Sequence, residues 1–190
     1  MEQRVFRNRV EAGTFLADAV AAGHPGQPVV LGLPRGGVPV AAEVARRLGA
    51  PLDVIVVRKV GVPQQPELAM GAIGEDSAVV VNDDVVRMLG IGCDEFVHAE
   101  QQARVLLDRR LEHFRSVRPR EPLHGRTAVL VDDGIATGAT MRAAVKVARF
   151  HGAARIIVAA PVAPTEVAET MRGEADDVVV LQTPDDFRSE

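Results

Sequence analysis

The chain has no tryptophan and no tyrosine, and only six phenylalanines among its 190 residues. A site that relies on aromatic stacking has little to build with. Cysteine is almost absent as well. Cys93 is the only one, which excludes a disulfide scaffold and makes a reducing cytoplasm the expected compartment. Apolar runs such as Val178 to Leu181 fall far short of the ~20 residues a membrane-spanning helix needs. The opening Met1-Glu2-Gln3-Arg4-Val5-Phe6-Arg7 carries charge with no apolar stretch behind it, unlike a signal peptide. A basic excess is missing too. The 22 Lys plus Arg face 26 Asp plus Glu, a formal charge of −4, so nucleic acid and membrane surfaces are not the expected partners.

What is present suits an ordinary globular protein: 47% apolar and 25% charged residues. A chain of this length forms one domain, or one with an insertion, and buries roughly 70% of its unfolded surface. Residues 1–190 are therefore read as a single domain. Glu11 to Ala22 repeats apolar residues at helical spacing and stops at Gly23. Val29 to Leu33 is apolar without alternation, as in a parallel strand covered on both faces. The turn Pro34-Arg35-Gly36-Gly37 leads to a helix over Val38 to Leu48. Leu52 to Val57 predicts a second buried strand, with Arg58-Lys59 just past its end.

The pattern then changes. Two prolines and three glycines without a clear period predict a long mobile loop over residues 59–76, whose second half could pair with Ala78 to Val81. A helical insertion follows over residues 83–118, its longest helix spanning Asp94 to Phe114. Core strands resume at Thr127 to Val131, Arg155 to Ala160 and Val178 to Leu181. Helices are predicted between them at Ala139 to Phe150 and Pro164 to Met171. Strand alternating with helix predicts an α/β fold: a Rossmann-like parallel sheet of about five strands flanked by helices.

The strongest chemical signal runs from Val129 to Met141, VLVDDGIATGATM. A buried strand delivers Asp132 and Asp133 to the carboxyl edge of the sheet, where open α/β sheets bind ligands. Gly134 follows the pair. Then Ala136, Thr137, Gly138, Ala139 and Thr140 open a helix, with several backbone N–H groups and two hydroxyls aimed at one spot. That is a phosphate cradle, and Gly138 lets the anion approach closely. Two carboxylates beside such a cradle repel a bare phosphate but suit a sugar phosphate, whose vicinal hydroxyls donate to them. Singly, each Asp or Thr also fits a capping role.

This string resembles the phosphoribosyl-pyrophosphate (PRPP) signature of the type I phosphoribosyltransferases. The resemblance implies that Asp132 and Asp133 hold the ribose hydroxyls and that Ala136 to Thr140 hold the 5-phosphate. Leu33-Pro34-Arg35-Gly36-Gly37 resembles the family's pyrophosphate loop, which often has a cis peptide before the residue matching Arg35. Arg58-Lys59 resembles the pair leading into the family's flexible catalytic loop. FRNRVEAG, VRKVGVPQQPELAMGAI and APVAP are similar to a bacterial branch of the family, some of whose members are fused to a hydrolase. Ala136 stands where enzymes acting on hypoxanthine or guanine carry an acid, which argues against a 6-oxopurine. That branch usually continues into an aromatic-rich tail, whereas this sequence ends at Phe187-Arg188-Ser189-Glu190.

The resemblance implies phosphoribosyl transfer from PRPP to a nitrogenous base or similar acceptor. Arg35, Arg58 and Lys59 would face the pyrophosphate, Gly36 and Gly37 would join the PRPP site, and the loop would close over the reaction. Mg²⁺ is the implied cofactor, held mainly by PRPP with a possible contribution from Asp132 and Asp133. A homodimer is implied as well. The alternative is a non-catalytic module of the same fold that senses PRPP. Glu67 or Glu75 could act as general acid or base, or be solvated loop acids. Arg4, Arg7 and Arg9 could line a base pocket or form an exposed basic end. Cys93 is expected to be a small buried residue. No HExxH and no GxxxxGK[ST] occurs, so neither a zinc protease nor a P-loop site is expected.

Overall fold

The computed structural model describes residues 6–184. The side chain of Glu67, together with Arg4 and the terminal Phe187-Arg188-Ser189-Glu190, lies outside the described residues. Helix α1 (Arg9–Ala22) begins where the Asn8 side chain accepts the Glu11 N–H at 2.9 Å. Strand β1 (Pro28–Gly32) leads to α2 (Gly37–Leu48), which ends on a left-handed Gly49. After β2 (Leu52–Val54) come β3 (Arg58–Val62), β4 (Gln65–Ile73) and β5 (Val79–Val81). Helices α3 (Asp83–Leu89) and α4 (Cys93–Arg115) follow. The chain then alternates through β6 (Thr127–Val131), α5 (Ala139–Phe150), β7 (Arg155–Val162), α6 (Thr165–Arg172) and β8 (Asp177–Gln182).

Five strands form one parallel sheet in the order β2-β1-β6-β7-β8, as the apolar runs predict. Alternate residues serve opposite faces. Val29 and Leu31 pack with Met141, Ala144 and Ala148 of α5, while Val30 packs with Leu16 of α1 and Val40 and Val44 of α2. Both faces are covered, so the strands read as unbroken apolar runs. The order also fixes where the site lies. From β1 the chain goes to one side into β2, and later returns through β6 to the other side of β1. The carboxyl ends of β1 and β6 therefore bound the crevice where such sheets take ligands.

The excursion differs from its sequence reading in one respect. Residues 59–76 are not a loop: β3 and β4 form an antiparallel hairpin with an irregular register at Val60–Val62, extended by β5. The pairing of the second half with the segment ending at Val81 is as expected. The prolines and glycines that suggest a loop sit in the bulged register and at the turn, where a broken period is natural. This small sheet has its own core, with Val60, Met70 and Ile73 against Val85, Ala103, Leu107 and Leu111. The helical insertion is two helices, divided after a left-handed Gly90. Among the described residues no helix is long and apolar enough to cross a membrane.

Candidate functional site

Two loops meet at the carboxyl ends of β1 and β6. The Leu33 N–H donates to Val131 O at 2.9 Å, so the Arg35 loop leaves the sheet directly beside the acid pair. The Pro34–Arg35 peptide is cis, as the family resemblance implies. Gly36 and Gly37 are required by close approach. A β-carbon at Gly36 would lie 2.2 Å from Asp133 Oδ2, and one at Gly37 2.4 Å from Val131 O. The loop is thus wedged against the two carboxylates with no room for a larger residue. Arg35 itself is exposed at the tip.

The carboxylates are unequal. Burial pushes the Asp132 carboxyl up to about 7; the Asp133 N–H, donated to Asp132 Oδ1 at 2.9 Å, opposes the rise, and the adjoining Asp133 carboxylate adds to it. Asp133 instead meets a cation. Arg9, at the start of α1, donates Nε and Nη2 to Asp133 Oδ2, each at 2.8 Å. Sequence reasoning offers Arg9 only as a pocket residue or an exposed basic end. The partners are 124 positions apart, so no local spacing signals the contact.

Beyond Gly134 the chain is pinned by Ile135, whose N–H donates to Val162 O at 2.9 Å. Ala136 and Thr137 then lead to Gly138, which caps α5 at φ +75°. The Thr137 hydroxyl accepts the Ala139 N–H at 3.4 Å, and both Thr137 and Thr140 are exposed. The first turn of α5 therefore presents backbone donors, two hydroxyls and the positive helix end beside the acid pair. An anion and a polyol can be held side by side here.

The cations from the excursion are distributed differently from the sequence expectation. Arg58 is exposed at the start of β3 and pairs in register with Ile73. Lys59, opposite Ala72, lines a cavity with Arg142 and Lys146 that no residue of the Arg35 loop lines. Arg110 of α4 donates Nη2 to Pro34 O at 2.7 Å and so props the Arg35 loop from 76 positions away. Glu75 is no solvated loop acid. Its Oε1 accepts Arg115 Nε at 2.6 Å, in a network that includes buried Asp53, which gives it a structural partner. Cys93 is exposed rather than buried, because the packed stripe of α4 begins only at Ala103.

Among the described residues no three His, Cys, Asp or Glu side chains gather to hold a metal. Asp132 and Asp133 are adjacent hard oxygen donors of the type Mg²⁺ takes one or two of, alongside substrate phosphates. They fit a metal that arrives with a phosphorylated ligand.

Comparison with known proteins agrees with this geometry. The model of the phosphoribosyl transferase domain matches residues 10–88 and 95–189. The chain is 54% identical over 181 residues to two Mycobacterium tuberculosis proteins named for the phosphoribosyl transferase family; the match covers 95% of this chain and 41% of theirs. The chain thus spans about two fifths of the length of these curated relatives. The crystal structure of TT1426 from Thermus thermophilus superimposes with a TM-score of 0.92 at 47% identity, covering 98% of this chain and 88% of that one. The purine phosphoribosyltransferase of Pyrococcus horikoshii shares the fold at 18% identity and TM-score 0.52, covering 96% and 87%.

Proposed function

The chain belongs to the phosphoribosyl transferase family, and on that premise we propose that it transfers the phosphoribosyl group of PRPP to a nitrogenous acceptor and releases pyrophosphate. The observation that carries the reading is the contact between the Arg35 loop and the acid pair. Gly36 lies so close to Asp133 that the Arg35 loop and the acid pair line one crevice, which supports assigning pyrophosphate, ribose and 5-phosphate to it.

The ribose hydroxyls would donate to Asp132 and Asp133, and the 5-phosphate would accept the N–H groups at Thr137 to Thr140. Asp133 exchanges its Arg9 partner for a hydroxyl when the sugar arrives. Arg35, with Arg58, supplies positive charge to the leaving pyrophosphate. The bond from C1 to the pyrophosphate oxygen breaks with its electron pair on that oxygen. The acceptor nitrogen then bonds to C1 and gives its proton to solvent. Mg²⁺, brought by PRPP, would neutralise further charge on the leaving group. The protein's contribution is positioning and charge stabilisation, since C1 passes through an oxocarbenium-like state that needs no protein nucleophile.

The test is PRPP-dependent pyrophosphate release across a panel of purine, pyrimidine and pyridine bases with Mg²⁺. Release with at least one base, lost in Arg35→Gln, supports transfer. A folded protein that binds PRPP yet releases nothing with any base contradicts it.

A further inference from the structure

The Arg35 loop is gripped from two sides by parts of the chain that lie far apart in sequence. On its inner side the glycines leave no room. A β-carbon would stand 2.2 Å from Asp133 Oδ2 at Gly36 and 2.4 Å from Val131 O at Gly37. On its outer side the Pro34 carbonyl accepts Arg110 Nη2 at 2.7 Å. Pro34 O and the Arg35 N–H belong to one planar peptide unit, so fixing the oxygen fixes the plane from which Arg35 departs. Two bonds close the loop on itself: Gly37 N–H to Leu33 O at 3.0 Å and Val38 N–H to Arg35 O at 3.3 Å. Neither involves the Pro34–Arg35 unit, which Arg110 holds.

Arg110 can do this because its helix is seated firmly. Leu107 and Leu111, on either side of it in α4, are buried against Val60, Met70 and Ile73 of the hairpin. The guanidinium therefore reaches the loop from a fixed base, and a charged donor makes one of the stronger hydrogen bonds. Arg110 itself is exposed and lies outside the packed stripe of Ala103, Leu107 and Leu111, so α4 docks without it. The other half of the crevice has different supports. Asp132 and Asp133 are carried by the end of β6, and Thr137 to Thr140 by the turn into α5.

We propose that Arg110 is a positioning residue: by holding the Pro34–Arg35 peptide from α4, it orders the pyrophosphate half of the crevice and leaves the ribose and 5-phosphate half unaffected. The naming of the two halves rests on the transfer reading, whereas the hold on the loop does not. Truncating Arg110 frees the outer side of the loop while the inner wedge of Gly36 and Gly37 stays in place. Arg35 then spends less time facing the crevice, and the loss falls on the anion that Arg35 meets.

Two measurements on the whole chain with Arg110→Ala test this. In amide hydrogen exchange without ligand, the amides of Arg35 to Val38 should exchange about tenfold faster than in the wild type. Protection in α4 and β6, and the unfolding temperature, should not change. In calorimetric titration with Mg²⁺, inorganic pyrophosphate should bind about tenfold more weakly, the loss of one charged hydrogen bond. Ribose 5-phosphate, which does not reach the Arg35 loop, should bind within about twofold of the wild type. Loop exchange that stays as in the wild type, or that rises together with all of α4, overturns the proposal. So does an equal weakening of pyrophosphate and ribose 5-phosphate. The two proposals fail separately: if the wild type binds neither ligand, the transfer reading falls, and loop exchange still decides whether Arg110 holds the loop.

Discussion

The five-stranded sheet and the excursion from β3 to α4 are held by different forces. In the sheet, β1 and β6 are buried on both faces, and every residue of β6 is out of solvent. Side-chain ion pairs play little part in its centre. The excursion has a smaller core and is fastened to the sheet by arginines. Arg115 reaches Asp53 of β2 at 2.8 Å and Arg110 donates to Pro34 O at 2.7 Å, while inside the excursion Arg115 also meets Glu75 at 2.6 Å and Arg104 donates to Gly74 O at 2.6 Å. The turn from Thr137 to Thr140 proposed to hold phosphate belongs wholly to the first region, whereas Arg110, which props the Arg35 loop, comes from the second. A site of this type is fixed in shape by the sheet and trimmed in orientation by long cationic side chains.

Core substitutions should separate the regions most sharply. Leu130→Ala, at a fully buried position in β6, is expected to cost about 3 kcal/mol in denaturant unfolding and to loosen the whole chain. Leu107→Ala in α4, equally buried, should instead lower amide protection in α4, β3 and β4 while β1 and β6 stay protected. Equal loss everywhere would mean that the excursion has no separate stability.

The fastening comes next. Asp53 is buried and accepts Arg115 Nη1 and the Glu121 N–H, each at 2.8 Å. Asp53→Ala leaves the half-buried Arg115 with only part of its anionic partnership, and should cost about 3 kcal/mol. An effect near zero would show that the arginine network is surface decoration.

Asp132 gives a pH-dependent effect. Its folded pKa, about 7, lies above its ordinary value of 3.8, so the native state binds more protons than the unfolded state between those values. This group therefore costs no stability below pH 3.8, and its penalty grows as pH rises towards 7. Asp132→Asn lacks that penalty, so its stability relative to wild type should increase from about pH 4 to about pH 8 and then level off. The smallest effect belongs to Arg9→Gln. The Arg9 side chain is 61% exposed, so the lost pair with Asp133 should lower stability by less than ~1 kcal/mol, and the difference should vanish in ~1 M salt.

The same contrast governs what could be read from the residues alone. The five core strands and the VLVDDGIATGATM turn are legible because both arise from short stretches: a strand buried on two faces must be apolar throughout, and a phosphate cradle needs glycine and hydroxyls at fixed offsets. The β3–β4 hairpin is hidden by its bulged register, which breaks the two-residue period, and by prolines at its turn. Arg9 and Arg110 are hidden for another reason. Each is an arginine on a charged helix, and only the fold shows that its partner is Asp133 or Pro34 O, many residues away. Lys59 sits at the border, since its strand-end position is visible but its turn towards Arg142 and Lys146 is not.

The most direct measurement is calorimetric titration of the chain with PRPP and Mg²⁺, beside Asp132→Asn and Thr137→Val. The account predicts saturable binding by the wild type, at least tenfold weaker in each variant, with both variants folded. Wild-type protein that is folded and binds no PRPP, or variants that bind as well as it does, would contradict the assignment of the crevice between β1 and β6.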